Sequence, residues 1–383
     1  MKQKYISHIV KSLESRQSTV ITLVIVSLCF AFNGCAMLAQ KVYTRAFVRV
    51  EEASDNKFHT YITWNDVDHN KYSRETVSFN SGDNVLEGFI YGKSNTNGLI
   101  IFSEGLGNTA DHYLVMILHF VDKGWRVFSY NNTGVSGSEG NSVRGLTQSL
   151  FDLDAALAYA RNSNDLLSTG KPLSNEKPLS NEKLNNLPIM LVGHSWGGFA
   201  VCAVLNHDHD HDIKAVASFA GFNNGSDVID NLATSRVGFI YKTISDEVRV
   251  IEKEKFGESV SLTAVDGINA AGIPVMIIQS SNDDVILADT ISIFAHRNEI
   301  TNPHVKIAYL DGEDAAGHEF VFCSKEQREY VNWAAESWKS YKKKNRKASR
   351  NQWAKEVNFD AFKANHLNAE IMEQIDALFY NAR

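Results

Sequence analysis

A serine between two glycines, near the middle of the sequence, stands in a context that suits nucleophilic chemistry. The segment Gly193-His194-Ser195-Trp196-Gly197 directly follows the apolar run Ile189–Val192 and directly precedes a stretch typical of a helix. A serine at such a strand-to-helix turn can adopt a strained conformation, because its glycine neighbours avoid the clashes that larger residues would make. The hydroxyl is then exposed above the sheet, and the next backbone N–H points at the same place. The sequence therefore predicts that Ser195 is a nucleophile.

A serine nucleophile needs a general base, and the base needs a carboxylate that orients it. When the nucleophile lies on a turn of this kind, the acid follows it in the chain and the histidine follows the acid. His318 meets this order, because it comes after the last strand-like run, His304–Leu310, and a loop of small residues. The acid should follow the apolar run Val275–Ile278, where Asp283 and Asp284 are both suitably placed. Four other histidines fit less well, since they precede the serine, lie within its turn or begin a strand: His112, His119, His194 and His304.

The residues around the serine and two further loops form a set of short motifs. Gly193–Gly198 reads Gly-His-Ser-Trp-Gly-Gly, Glu104–Asn108 reads Glu-Gly-Leu-Gly-Asn, and Thr133–Ser138 reads Thr-Gly-Val-Ser-Gly-Ser. With these motifs the chain, over about residues 75–340, resembles the α/β-hydrolase fold family and, within it, the serine-aminopeptidase and lysophospholipase-like branch. The resemblance implies an α/β fold with a mostly parallel central sheet, antiparallel N-terminal strands, helices on both faces and a small helical lid.

The same resemblance selects one of the two candidate acids. In the family's pattern the acid stands three residues after a small residue and three before an apolar one. Asp283 lies between Ser280 and Ile286 in that register, and the register centred on Asp284 is a poorer match. The resemblance therefore implies that Asp283 orients the base.

The glycine-rich loop departs from the family at one position. The branch usually has histidine where this chain has Glu104. The departure leaves the backbone unchanged, and the resemblance implies that the N–H groups of Leu106 and Trp196 stabilise an oxyanion. A carboxylate near the site is expected either to favour a cationic substrate or to disturb the loop.

The remaining segments predict the elements that position these residues. Short apolar runs alternate with helix-like stretches from residue 99 onward, which indicates a parallel sheet covered on both faces. Residues 222–272 are too long for a simple connection and partly helical, so they are predicted to form the lid. The hydrolase domain is predicted over 45–340, with a basic helical extension over 341–383. The predicted strands are 47–51, 58–64, 75–79, 85–91, 99–103, 126–130, 189–192, 215–219, 275–278 and 304–310, and the predicted helices include 146–161, 286–295 and 325–342.

The N-terminal residues 1–36 are typical of an export signal. A basic stretch precedes the uncharged run Val20–Phe32, whose 13 residues would span about 20 Å as a helix, short of a bilayer core. Cys35 follows Gly34, as in bacterial lipoprotein signals, and is a candidate for lipidation. Cleavage after Ala36 and an uncleaved anchor are the alternatives. Each predicts an exported protein, either secreted or associated with the cell envelope through its N-terminus.

Composition excludes several other classes. The chain has 383 residues, of which 44% are hydrophobic, and a net charge of −7, so neither a multi-span membrane protein nor a nucleic-acid partner is expected. Two segments carry unusual patterns. A duplicated hexapeptide at 171–176 and 177–182 predicts a surface loop, and alternating His and Asp over 206–212 predict at most adventitious binding of divalent cations. No catalytic metal and no cofactor are expected.

These patterns predict an enzyme that acts on a small-molecule ester or amide. The first interpretation is a serine hydrolase that cleaves a carboxylic ester through an acyl-enzyme, with Ser195, His318 and Asp283 as its triad. An aminopeptidase or amidase that uses the same triad is one alternative. A non-catalytic binding module on a hydrolase fold is the other.

Overall fold

A single eight-stranded sheet organises the described part of the chain, which in this computed structural model comprises residues 36–51, 62–163, 166, 187–207, 212–236 and 238–383. Cys35, the duplicated hexapeptide and positions 208–211 of the His-Asp run lie outside these residues. The strands are β1 Arg74–Ser81, β2 Asn84–Tyr91, β3 Leu99–Ser103, β4 Arg126–Tyr130, β5 Ile189–His194, β6 Ile213–Phe219, β7 Val275–Ser280 and β8 Val305–Leu310.

The sheet is mostly parallel, as the sequence predicts. Its order is β1-β2-β4-β3-β5-β6-β7-β8, with β2 antiparallel to both β1 and β4 and every other neighbouring pair parallel. The carboxyl ends of β3 to β8 therefore meet at one edge of the sheet. Loops that leave this edge are the ones that can bring distant residues together.

Helices cover both faces of the sheet. The α-helices are α1 Leu114–Asp122, α2 Gln148–Asn162, α3 Trp196–Ala203, α4 Gly225–Arg236, α5 Gly238–Phe256, α6 Ala264–Ala271, α7 Lys325–Lys344, α8 Arg350–Glu356 and α9 Ala369–Ala382. A further helical segment, which we call the N-terminal helix, spans residues 36–46. Among the described residues, no helix is both long enough and apolar enough to cross a membrane.

The central strands are apolar on both faces because each face has its own hydrophobic core. All five residues of β3 are buried, and alternate side chains contribute to opposite cores. Leu99 and Ile101 pack in the core that contains α2 and α3, whereas Ile100 and Phe102 pack in the core that contains α1 and α9. The C-terminal helix α9 is thus packed against the sheet through Ile371, Met372, Ile375, Leu378 and Phe379.

Two local predictions are wrong, and a third lies mostly outside the described residues. Residues 47–51 form only isolated bridges, at Val48 and Val50. Of the strand predicted over 58–64 the structure describes only residues 62–64, where Trp64 begins a 3₁₀ turn. The helix predicted over 286–295 is absent, and a 3₁₀ segment runs over Ile293–Glu299. Its backbone groups pair with the loop after β6 instead, since Ile293 N–H donates to the Gly221 carbonyl and Asn223 N–H to the Ile291 carbonyl.

Candidate active site

Ser195 occupies a strained turn between β5 and α3. Its backbone has φ 55° and ψ −111°, a left-handed conformation that few residues other than glycine adopt. The flanking glycines are required by space. A Cβ on Gly193 would lie 2.3 Å from the Gly197 carbonyl oxygen, and one on Gly197 would lie 2.1 Å from that of Ser103. The turn can therefore close only because both neighbours lack side chains.

The structure brings Ser195, His318 and Asp283 into one chain of hydrogen bonds. His318 Nε2 lies 2.8 Å from Ser195 Oγ, and His318 Nδ1 lies 2.9 Å from Asp283 Oδ2 and 3.1 Å from Oδ1. The Asp283 side chain is fully buried, whereas Asp284 is exposed. Of the two candidate acids, Asp283 is thus the one that contacts the histidine. This geometry is the one required when the imidazole accepts the hydroxyl proton at Nε2 and carries its own proton on Nδ1.

The loop after β7 fixes the Asp283 carboxylate. Its Oδ1 accepts hydrogen bonds from the N–H groups of Val285 (2.9 Å) and Ile286 (2.8 Å), and Oδ2 accepts one from Gln279 Nε2 (3.3 Å). A side chain that accepts from the backbone two and three residues ahead holds a tight turn. The same bonds that satisfy this buried carboxylate therefore set its direction toward His318.

The two predicted oxyanion donors border the same cavity as Ser195. Trp196 is the first residue of α3, so its N–H has no partner within the helix and lies at the positive end of the helix dipole. Leu106 belongs to the glycine-rich loop after β3 and also lines the cavity. Their positions fit the predicted role, which stays a prediction.

Glu104 does not offer its charge to the cavity. The side chain is buried, and Oε1 accepts hydrogen bonds from the backbone N–H (2.7 Å) and Nδ2 (3.1 Å) of Asn132. Burial raises the pKa of this carboxyl well above its usual range. The expectation that Glu104 favours a cationic substrate or disturbs the loop therefore finds no support, because the side chain instead ties the glycine-rich loop to the loop after β4.

Sequence reasoning missed a buried hydrogen-bond chain behind the triad. His194 Nε2 donates to the His318 carbonyl oxygen (3.1 Å), so its Nδ1 accepts from the Tyr113 hydroxyl (2.9 Å). That hydroxyl in turn accepts from Gly105 N–H (3.0 Å) and Asn108 Nδ2 (2.9 Å). Burial, with a smaller effect from His318, lowers the pKa of His194 to about 4. A neutral His194 thus connects the backbone of His318 to the glycine-rich loop.

A mainly apolar cavity of about 310 Å³ opens beside Ser195. Helices α4 and α5, within the predicted lid, contribute Val228, Ile229, Ile244 and Val248 to its lining. The N-terminal helix borders it from another side. Such a cavity, with a few polar groups at one end, is typical of a site for a small molecule with an apolar portion.

The described residues offer no arrangement for a metal. No group of three or more His, Cys, Asp or Glu side chains among them is placed to hold an ion. His207, from the His-Asp run, contacts Asp154 at 3.4 Å. Cys202 and Cys323 are both buried free thiols.

Comparison with known proteins agrees with the fold and with the chemistry of the turn. Residues 94–261 match the model of the serine aminopeptidase S33 family, a segment that includes Ser195 but ends before Asp283 and His318. This match covers less than half of the chain and, together with the eight-stranded sheet, makes the chain similar to serine hydrolases of the α/β-hydrolase fold. No curated protein sequence matches the chain.

Several solved structures are similar to this chain at low sequence identity. An esterase of Pyrococcus furiosus is 14% identical, with a TM-score of 0.49 over 76% of this chain and 96% of that one. The ferulic acid complex of Est1E from Butyrivibrio proteoclasticus is 15% identical, with a TM-score of 0.45 over 63% and 91% of the two chains. An acylaminoacyl peptidase of Pyrococcus horikoshii is 18% identical, with a TM-score of 0.44 over 65% of this chain and 38% of that one.

Proposed function

We propose that the protein hydrolyses carboxylic esters through an acyl-enzyme intermediate. The observation that carries this proposal is the hydrogen-bond chain from Ser195 through His318 to Asp283, which begins at the edge of an apolar cavity. Ser195 Oγ attacks the ester carbonyl carbon while His318 Nε2 takes the hydroxyl proton. The protonated imidazole then donates that proton to the departing alkoxide, and a water molecule activated by His318 hydrolyses the acyl-enzyme.

Charge develops on two groups during this reaction, and each has a partner. The positive imidazolium lies against the Asp283 carboxylate, whose direction is set by backbone donors. The negative oxygen of the tetrahedral intermediate is assigned to the N–H groups of Leu106 and Trp196. Loss of one such donor typically lowers the rate by about 10²–10³.

The lining of the cavity favours an ester with an uncharged acyl portion. Side chains from α4, α5 and the N-terminal helix make its walls apolar. An aminopeptidase must also bind a substrate ammonium group, and among the described residues that line the cavity Glu319 is the one carboxylate. Glu319 keeps the aminopeptidase alternative as a second candidate, since it lies next to His318 in the chain.

Two measurements separate these functions. A panel of p-nitrophenyl esters with acyl chains of graded length is compared with aminoacyl p-nitroanilides, for the parent and for Ser195→Ala. We expect ester turnover that disappears in Ser195→Ala, together with labelling of the parent by a fluorophosphonate probe. Turnover of aminoacyl amides alone would favour the aminopeptidase, and absence of both turnover and labelling would favour a binding module. Circular dichroism checks that the variant is folded.

We also propose that the protein is exported and held at the cell envelope through its N-terminus. The support is sequence alone: the apolar run Val20–Phe32 and Cys35 directly behind it. Lipidation predicts that the protein partitions into detergent and that Cys35→Ser releases it from membranes. A mature N-terminus at Met37 would contradict lipidation and establish cleavage after Ala36.

A further inference from the structure

The N-terminal helix, residues 36–46, borders the cavity beside Ser195. Val42, Tyr43, Ala46 and Phe47 line this cavity together with Ser195 and His318. The helix precedes the segment that matches the family model, residues 94–261, and the predicted lid is elsewhere in the chain. One wall of the cavity is therefore supplied by an element that the family match does not include.

A buried cluster of polar groups, which we call the clasp, fastens this helix. The Tyr43 hydroxyl lies 2.6 Å from Glu252 Oε1 of α5 and 2.6 Å from the Arg144 carbonyl oxygen. Glu252 in turn accepts from Leu146 N–H (3.0 Å) at Oε1 and from the Thr147 hydroxyl (3.3 Å) at Oε2. The clasp thus joins the N-terminal helix, α5 and the loop over residues 144–147.

The clasp is tightly built and reaches the nucleophile turn. Tyr43 and Glu252 are 2% and 4% exposed, so each needs its hydrogen bonds to offset the loss of water. A Cβ on Gly145 would lie 2.1 Å from the Tyr43 hydroxyl, which leaves no room there for another residue. The Leu146 carbonyl oxygen accepts from Trp196 Nε1 at 2.6 Å, directly beside Ser195. The helix is therefore held in a fixed position relative to the serine.

We propose that the N-terminal helix is a specificity-determining wall that limits the length of the acyl chain bound beside Ser195. This inference rests on the proposed ester hydrolysis and adds the substrate class, esters of short to medium acyl chains. A cavity of about 310 Å³ is at the small end of small-molecule sites. Val42 is half-buried and lines the cavity, so a larger side chain at this position reduces the room for an acyl chain.

Opposite substitutions at Val42 test the wall. Each methylene that loses its contact lowers kcat/KM by about fourfold. Exclusion of two or three methylenes by Val42→Trp is therefore expected to lower the ratio of octanoyl to acetyl ester hydrolysis by about 15–60-fold. Val42→Ala is expected to raise the ratio of decanoyl to acetyl ester hydrolysis. The acetyl ester is an internal standard, because a misfolded variant would lose activity on every ester.

Leu38→Trp is the matched control. Leu38 lies on the same helix, is 44% exposed and does not line the cavity. We expect its octanoyl to acetyl ratio to stay within about twofold of the parent. Equal octanoyl to acetyl ratios for Val42→Trp and Leu38→Trp would overturn the proposal that the N-terminal helix limits acyl length. They would leave the proposed ester hydrolysis intact.

A binding measurement separates this inference from the proposed function. Octanoic acid is titrated by isothermal calorimetry into Ser195→Ala, with and without Val42→Trp or Leu38→Trp. We expect binding that Val42→Trp weakens at least tenfold and Leu38→Trp retains, whether or not the parent hydrolyses esters. Absence of binding to Ser195→Ala, or equal binding by all three proteins, would overturn the inference.

Discussion

Substitution of Asp283 by asparagine is expected to abolish most turnover because the new amide would face His318 with the wrong group. Asp283 Oδ1 accepts from the N–H groups of Val285 and Ile286. An amide in the same place keeps its oxygen toward these two donors and so directs its NH₂ group toward His318 Nδ1. The imidazole must then accept at Nδ1 and carry its proton on Nε2, where it cannot take the proton of Ser195.

The size of the loss in activity follows from the free-energy cost of turning the side-chain amide the other way. If the amide turned its oxygen toward His318, its NH₂ group would face the Val285 and Ile286 donors. Each buried donor left without an acceptor costs about 1–3 kcal/mol, so the productive orientation is disfavoured by at least about 2 kcal/mol. This leaves it populated at about 3% or less. Loss of the carboxylate charge acts in addition, and the same exchange in serine proteases lowers kcat by about 10⁴. The expected loss in kcat/KM is thus between about 30-fold and 10⁴-fold.

Hydrolysis of a p-nitrophenyl ester by purified, folded protein measures this loss. Asp284→Asn is the matched control, since it makes the same chemical change at the exposed neighbouring residue. An exposed substitution typically changes free energies by no more than about 0.5 kcal/mol, so Asp284→Asn should stay within about threefold of the parent. A loss below tenfold for Asp283→Asn, or a larger loss for Asp284→Asn, would refute the reasoning.

Three further predictions concern the groups around the triad. Tyr113→Phe leaves Gly105 N–H without its buried acceptor, so ester kcat/KM should fall about 5–100-fold. The control Tyr380→Phe removes the hydroxyl of a half-buried tyrosine that hydrogen-bonds to Lys123 instead, and it should not change kcat/KM. Equal kcat/KM values for Tyr113→Phe and Tyr380→Phe would remove the hydrogen-bond chain from the mechanism. Glu104→Gln should leave the ratio of choline to neutral ester hydrolysis within about twofold, because the carboxyl is buried; a tenfold fall would show that it binds the cation. For His194, the pKa of about 4 lies below the usual 6.5, so the unfolded state takes up the proton first as pH falls. The free energy of unfolding should therefore fall by about 3 kcal/mol between pH 6.5 and 4. The parent's melting temperature should exceed that of His194→Gln by less at pH 4 than at pH 6.5. A difference in melting temperature that does not change with pH would contradict this prediction.

The sheet could be predicted because its strands are constrained on both faces. Runs such as Leu99–Ser103 are too short for a helix and too apolar for a surface strand, so the buried parallel sheet is the solution that remains. The turn at Ser195 could be predicted equally well, because a turn this tight excludes any residue with a Cβ at two positions. Strong steric constraints leave a local signature that a single sequence carries.

Contacts between distant segments leave no such signature. Tyr113 lies on a 3₁₀ turn with nothing nearby in sequence to mark it, yet its hydroxyl contacts His194, which is 81 residues away. Tyr43 contacts Glu252 across 209 residues. The helix predicted over 286–295 fails for the same reason, because backbone groups of Ile291 and Ile293 pair with the loop after β6. Contacts between distant segments determine all three features, and the periodicity of the sequence does not predict such contacts.

Buried carboxylates hold the loops that meet at the carboxyl edge of the sheet, as backbone hydrogen bonds hold the strands within it. Glu104 accepts from Asn132 N–H, Asp152 from Thr133 N–H, Glu252 from Leu146 N–H, and Asp283 from Val285 and Ile286 N–H. Each carboxylate satisfies backbone groups of an irregular segment that would otherwise be buried without partners. Because desolvating a carboxylate is costly, hydrogen bonds from the loop offset part of that cost, and the same bonds fix the loop. Burial raises the pKa of Glu104, Asp152 and Glu252, which shows this cost. The loops that position the site are therefore held by hydrogen bonds to buried carboxyl groups and not by regular secondary structure.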